Sequence, residues 1–445
     1  MIVVYTRGMR TLLVAIVLWP SLAIAETKLT LDQVIAKAVA NPRVQMAASD
    51  SDAAAARVDE ADAARLPRVK ATAFGTISPK IRCLDAQCTQ TDPQNFAFAF
   101  SGLFGGAQLD ITQPLYTFGK IDHARAAARA GLDAQTALAN EAAGDVASDA
   151  AKAYWGLKLA RELGGMLDDG IEEIEKAKAT FEDKKDVAIQ DRQRVAVLLA
   201  EAKVERAEAQ QGETQALSGL RAVTGVADAD IDDAEIAALD HPLPDVNGLA
   251  VYNRPQSVAA KSGARAADEL AEMESAQYFP DIALVGSALI ASAHGVTDPP
   301  GVFANDPYNR AGAGVVLGLQ WTLEPWNVRA RLDRAHAEAH KMHAQSDLAE
   351  LGARYDAETA LSEAVAAHAK VAAASEGEKA ARTWLAAVLQ NEAIGTAEAR
   401  DLADAYIAWF QMRARWATAV FQWNVAVVRL GRATGEFRAG TQRPR

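Results

Sequence analysis

Apolar and polar residues alternate with a period of two in short stretches of this chain, while most of the remainder follows a helical period. Val69, Ala71, Ala73, Gly75 and Ile77 alternate with Lys70, Thr72, Thr76 and Ser78, Phe74 breaking the polar set; Ala313, Val315, Leu317, Leu319 and Trp321 also alternate. Both stretches predict strands with one apolar face. "NFAFAFSGLFGGAQLDITQ" sets Phe96, Phe98 and Phe100 on one face, with a bulge expected at Gly105-Gly106 to shift the apolar parity to Leu109 and Ile111. The fourth stretch, "DIALVGSALIAS", is more uniformly apolar. Each is about the 9–11 residues that cross a membrane as a tilted strand; an ordinary soluble four-stranded sheet is the alternative. Pro67, Pro114, Pro280 and Pro325 mark the strand–helix boundaries, and Tyr116, Phe118, Tyr278, Phe279, Trp321 and Trp326 cluster there, as a membrane-interface belt requires.

The helical stretches are too long for an ordinary globular domain. No proline occurs from Lys120 to Phe181, which at ~1.5 Å per residue predicts a rod of about 90 Å. A second rod spans 328–390. Each returns after a short polar tip, as 187–224 following "FEDKKD" and as 397–433 following "GTAEARDLADA". Along the last, Leu402, Tyr406, Trp409, Trp416, Val420, Trp423, Val427 and Leu430 step by four and three with Arg413 interrupting, which is a coiled-coil seam. A cofactor box is the rarer origin of such a tryptophan stripe.

The chain also matches itself. "LDITQPLYTFGK" (109–120) aligns with "LGLQWTLEPWNV" (317–328), "RLPRVKATAFGTIS" (65–78) with "YFPDIALVGSALIA" (278–291), and "RAVTG" (221–225) with "GRATG" (431–435). The common order and similar offsets predict a duplicated unit: repeats at 26–225 and 255–435, an acidic linker at 226–254 and a tail at 436–445. Residues 1–25 read as a secretory signal, with Arg7 and Arg10 before "TLLVAIVLW" and Ala23-Ile24-Ala25 as cleavage site. The apolar run falls short of the ~20 residues of a membrane anchor.

Composition narrows the picture in two places. A net charge of −12 argues against a nucleic-acid partner. The only cysteines, Cys83 and Cys88 in "CLDAQC", are expected to pair as a disulfide after export, and the spacing does not make a zinc site.

These features together resemble the TolC family of outer-membrane efflux proteins. "LTLDQVIAKAVANPRV" resembles the family's N-terminal helix, "QPLYTFGK" its strand-to-helix motif, and "ARDLADA" with "ATG" its closing helix. The resemblance implies a mixed fold: a homotrimer with four strands per chain in one 12-stranded transmembrane β-barrel set in outer-membrane lipid, and helical rods forming a coiled-coil periplasmic tunnel. It also implies a periplasmic adaptor and an inner-membrane pump as partners. One point is independent of the resemblance, since four strands are too few to close a membrane barrel, which needs ~8.

The resemblance further implies a periplasmic gate of carboxylates just beyond a Gly-Thr turn. The matching positions are Gly395 and Thr396 for the turn and Asp401 and Asp404 for the gate, with Asp191 opposite Asp401 in the first repeat. Thr396 is expected to cap the last helix, with Glu398 in its first turn and the two aspartates deeper on one face. Lys185 and Arg194 stand where the first tip would otherwise match, and Ala397 replaces an arginine found in some members. Three copies of two carboxylates in a narrow opening would attract cations; a solvated helix face is the other reading. His336, His340 and His343 include an i,i+4 pair able to ligate a metal, but three in line span about 10 Å, and solvated or packed histidines are the commoner outcome. No catalytic motif and no cofactor site is evident. A soluble periplasmic adaptor is the competing class.

Overall fold

The computed structural model describes residues 27–79, 81–82, 84, 90, 100–183, 188–232, 235–244, 254–293, 297–298, 309–394, 396 and 399–435. In chain order they form β1 (Thr27–Leu29), α1 (Leu31–Ala38), α2 (Pro42–Ala63), β2 (Arg68–Pro79), β3 (Ile81–Arg82), β4 (Phe100–Tyr116), α3 (Lys120–Asp183) and α4 (Ile189–Thr224). Then follow β5 (Ala229–Ile231), α5 (Pro255–Ala276), β6 (Asp281–Ala293), β7 (Thr297–Asp298), β8 (Arg310–Gln320), α6 (Pro325–Ala393) and α7 (Ala399–Thr434). The series α2, β2, β4, α3, α4 thus has a counterpart in α5, β6, β8, α6, α7.

The four long strands make one antiparallel sheet in the order β2-β4-β6-β8. Its register gives one consistently apolar face and one mixed face, on which the polar residues of β2 and β4 lie beside Val285, Leu289 and Val316 of β6 and β8. On one face Ala71 lies opposite Leu109 and Ile77 opposite Leu103, Ala107 opposite Ile290, and Ile282 and Leu284 opposite Leu319 and Leu317. The other face pairs Lys70 with Asp110, Thr72 with Gln108, and Asp110 with Ser287. A slip of one residue between β2 and β4 would exchange their faces, so the apolar pattern there fixes the register.

The predicted bulge at Gly105-Gly106 is absent. Pairing runs unbroken through both glycines, and the irregularities fall between Ser78 and Pro79 and between Pro114 and Tyr116. Gly106 instead lies opposite Phe74, whose ring occupies the space a Cβ would need, with the Ile290 carbonyl on the other side. Phe74 also packs on Phe104, ring centroids 5.3 Å apart. The phenylalanine that broke the polar pattern and the glycine that suggested a bulge are one packing unit. Pro114 likewise lies inside β4, while Pro67 and Pro280 directly precede β2 and β6 and Pro325 opens α6.

At the sheet–helix junction, Phe118 and Gly119 both take positive φ, 51° and 92°. A left-handed phenylalanine costs roughly 1–2 kcal/mol, offset here by stacking on Phe279 at 5.2 Å and an edge contact with Tyr116 at 4.6 Å. Lys120 then donates to the Phe279 carbonyl at 2.9 Å and the Asp281 carboxylate at 2.8 Å. The "TFGK" motif therefore ties the start of α3 to the entrance of β6.

Helices α3 and α6, of 64 and 69 residues, are rods of about 100 Å. The returns α4 and α7 have 36 residues each, or ~54 Å, and α2 and α5 accompany the rods nearer the sheet. Both returns stop on Thr-Gly: Gly225 and Gly435 are left-handed at φ 68° and 77°, and the Thr224 and Thr434 hydroxyls donate to the Leu220 and Leu430 carbonyls. This glycine C-cap accounts for the matching "TG" signatures.

The acidic segment after α4 is a strap on the waist of the bundle. β5 pairs in parallel with β1, and its buried Asp230 accepts from Arg161 at 2.6 Å. Asp232 accepts from Lys158 at 2.8 Å and from the Tyr154 hydroxyl at 3.2 Å. Burial, with Asp232 beside it, raises the Tyr154 pKa, which keeps this hydroxyl a donor. Farther along, Trp423 donates to the Leu239 carbonyl, and the fully buried Asn424 bonds Leu239 N–H and the Ala237 carbonyl. The first described residues also join the waist: Thr30 and Gln33 form a capping box on α1, and Asn41, ahead of Pro42, caps α2 and donates to the Val223 carbonyl.

Candidate functional site

The tip farthest from the sheet joins α6 to α7. Thr396 closes α6: its N–H and its hydroxyl both donate to the Asn391 carbonyl, at 2.9 and 3.1 Å. The sequence expectation made it the cap of α7, whose helix is described from Ala399 on. Asp401 lies in the first turn of α7 as described, where the helix dipole favours a carboxylate. Asp404 lies one turn further on, 3.6 Å from Arg400. Both aspartates are exposed. Gly395, Ala397 and Glu398 lie outside the described residues.

The opposite face of α7 holds these carboxylates in place. Leu402, Ala405 and Tyr406 are buried against Leu385 and Val388 of α6. The seam continues through Trp423 and Leu430, both buried against α6. Arg413, which interrupts it, forms ion pairs with Glu162 of α3 and Glu378 of α6 and lies 4.5 Å over the Trp416 ring. The charge at a seam position is thus the point where three helices meet. Two glycines complete the contact: a Cβ on Gly170 of α3 would overlap the Phe410 ring, and one on Gly377 of α6 would overlap the Met412 methyl. α7 is therefore wedged between the two rods, a side chain set into each.

The α3–α4 tip is plainer. Ala188 gives α4 no side-chain cap, Asp191 lies in the first turn, and Arg194 sits 3.8 Å from it. Val195 and Leu199 pack on Ile174 of α3, with Phe410 of α7 closing the cluster. Lys185 falls outside the described residues, as do Cys83 and Cys88. Among the histidines, His343 bonds the Asp268 carboxylate at 2.9 and 3.0 Å, while His336 and His340 are exposed. Among the described residues no group of three or more His, Cys, Asp or Glu is placed to hold a metal ion, and no helix is long and apolar enough to cross a membrane.

Sequence reasoning missed the Arg413 ion pairs, the Asn424 strap contact and the two glycine seats. Only the glycines carried a signal, one in each rod at nearly the repeat offset.

Comparison with known proteins bears on this architecture. Residues 247–436 match the family model for outer membrane efflux proteins. No curated protein matches the chain. Among solved structures it is similar to the outer-membrane channel OprN, with 20% identity and a TM-score of 0.76 over 91% of this chain and 89% of that one. It is also similar to the outer membrane protein VceC of Vibrio cholerae, at 18% identity and TM-score 0.74, covering 91% and 96%. The open-state MtrE channel of Neisseria gonorrhoeae gives 19% identity and TM-score 0.74, covering 91% and 88%. That family's model thus matches across the second series of elements, and the fold of these outer-membrane channels is followed over nine-tenths of the chain.

Proposed function

We propose that the protein is the outer-membrane channel of a tripartite export system, a passive conduit that receives cargo from an inner-membrane pump through a periplasmic adaptor. The observation that carries this reading is the sheet: four strands, one face apolar, with β2 and β8 left as open edges. An open apolar edge is an aggregation hazard unless another chain completes it. Three copies would supply twelve strands, an even number within the range of membrane barrels. The flanks of the helical wall support the same assembly. Leu348, Leu351 and Tyr355 on α6 are exposed in one row, as are Ile189, Val197 and Val204 on α4, and such rows suit burial against a second copy. A duplication of one unit gives the simplest origin for the recurring element order.

In this trimer Asp401 and Asp404 contribute six carboxylates to a ring at the closed periplasmic end, acting as gate and cation filter. Asp191, a single carboxylate on the first-repeat tip, adds less to it. Cys83 and Cys88 form a disulfide in an external loop. A soluble adaptor would have no use for an apolar sheet face. Reconstitution in planar bilayers tests the proposal. Detergent-extracted protein should run as a trimer, fractionate with the outer membrane after salt washing, and conduct ions with cation preference. A monodisperse monomer with native circular dichroism would overturn it, and two free thiols in exported protein would remove the disulfide.

A further inference from the structure

The exposed arc of α7 changes sign along its length. Asp401, Ala408, Arg415 and Gln422 recur every seven residues, a spacing that keeps one face in a coiled coil. Arg415 lies ~21 Å above Asp401. At that level a cavity of about 510 Å³ opens between α6 and α7, lined by Lys370, Ala374, Met412, Arg415, Ala419 and Gln422 among others. This volume is in the range of small-molecule sites, ~300–1,000 Å³. Its walls are mostly methyl groups and a thioether, and its lining contains two cations and no carboxylate.

The cations are available. Lys370 reaches Gln422 at 3.5 Å, and no ion pair joins Lys370 or Arg415 to a carboxylate among the described residues. Neighbouring arginines on α7 are engaged, Arg413 with Glu162 and Glu378 and Arg429 with Glu363. A second groove of about 870 Å³, between α3, α4 and α7, is lined by Glu201, Glu205 and Glu208 and by no lysine or arginine. The two sides of α7 therefore present opposite charge over apolar floors.

We propose that the α6–α7 groove binds amphiphilic organic anions, Lys370 and Arg415 receiving the acid group and Ala374, Met412 and Ala419 the apolar body. The groove is complete within one chain; that its ligand is cargo resting on the tunnel wall depends on the channel reading above.

The test uses full-length protein in lipid nanodiscs, titrated calorimetrically with 2-naphthalenesulfonate and with 1-naphthylmethylammonium, a similar body of opposite charge. The sulfonate should bind saturably, once per chain. In the Lys370→Gln/Arg415→Gln variant its affinity should fall roughly tenfold or more, since charge-assisted contacts are lost, with ammonium binding unchanged. Should the double variant misfold by circular dichroism, each single variant should show a several-fold loss. Absent or non-saturable sulfonate binding, undiminished binding in the variant, or equal loss for both probes would each overturn the site. Bilayer conduction by the same preparation separates the claims: normal conduction without sulfonate binding removes only the site, and sulfonate binding without conduction removes only its reading as cargo.

Discussion

The return helices α4 and α7 have equal length and end on the same Thr-Gly cap, yet their environments differ. α4 lies on a flank, where its Arg206 pairs with the exposed Asp168. α7 lies between two rods, with aromatic residues along its buried seam and Arg413 held by carboxylates from both sides. The helix whose orientation is fixed by three neighbours is the one that carries exposed carboxylates at its tip. The gate proposed above needs groups that move only when the whole wall moves, and the anchoring of α7 supports that reading.

The comparison is broken most severely at Arg413. Arg413→Ala would leave Glu162 and Glu378, only 12% and 13% exposed, without their cation, a change that typically costs about 3–5 kcal/mol. Arg206→Ala on α4 should cost less than ~1 kcal/mol, as expected for an exposed pair. Chemical denaturation of the two variants, followed by circular dichroism, should separate them; similar losses would mean that α7 is no better anchored than α4.

Glycine substitutions in the rods sharpen the same point at smaller magnitude. Gly170→Ala meets the Phe410 ring and should cost about 1–3 kcal/mol through overpacking. Gly377→Ala meets the end of Met412, a flexible side chain that can turn away, so its loss should be smaller. Thermal melts of both variants give the order, and a reversed order would contradict the two seats as described.

The gate substitutions have the least effect on stability and the most specific readout. Asp401→Ala with Asp404→Ala removes exposed groups, so folding should shift by only ~0.5 kcal/mol, while cation preference and block by multivalent cations from the periplasmic side should disappear in planar bilayers. Asp191→Ala should leave selectivity nearly as it was. A double variant that assembles and conducts with unchanged selectivity would place Asp401 and Asp404 on a merely solvated face, and a strong effect of Asp191→Ala would make the two tips equivalent.

Much of this architecture is local, which is why residue patterns disclose it. Alternation over 69–77 and 313–319 depends on the pleat of a single strand, the seam from Leu402 to Leu430 on the pitch of a single helix, and the Thr-Gly stops on the φ of a single residue. Each could be read without knowing any partner. What lies across an interface could not: Arg413 meets a carboxylate 251 residues away, and Phe74 requires the glycine that β4 happens to place opposite it. Within the acidic linker, Asp230 and Asp232 meet Arg161 and Lys158 of α3, partners that the segment's own charge pattern could not name. Thr396 bonds back to Asn391 of the helix behind it, a contact that the capping pattern alone did not disclose. Period and caps follow from chain geometry, whereas pairing depends on how two rods of about 100 Å cross and register, and that is decided only when they are packed together.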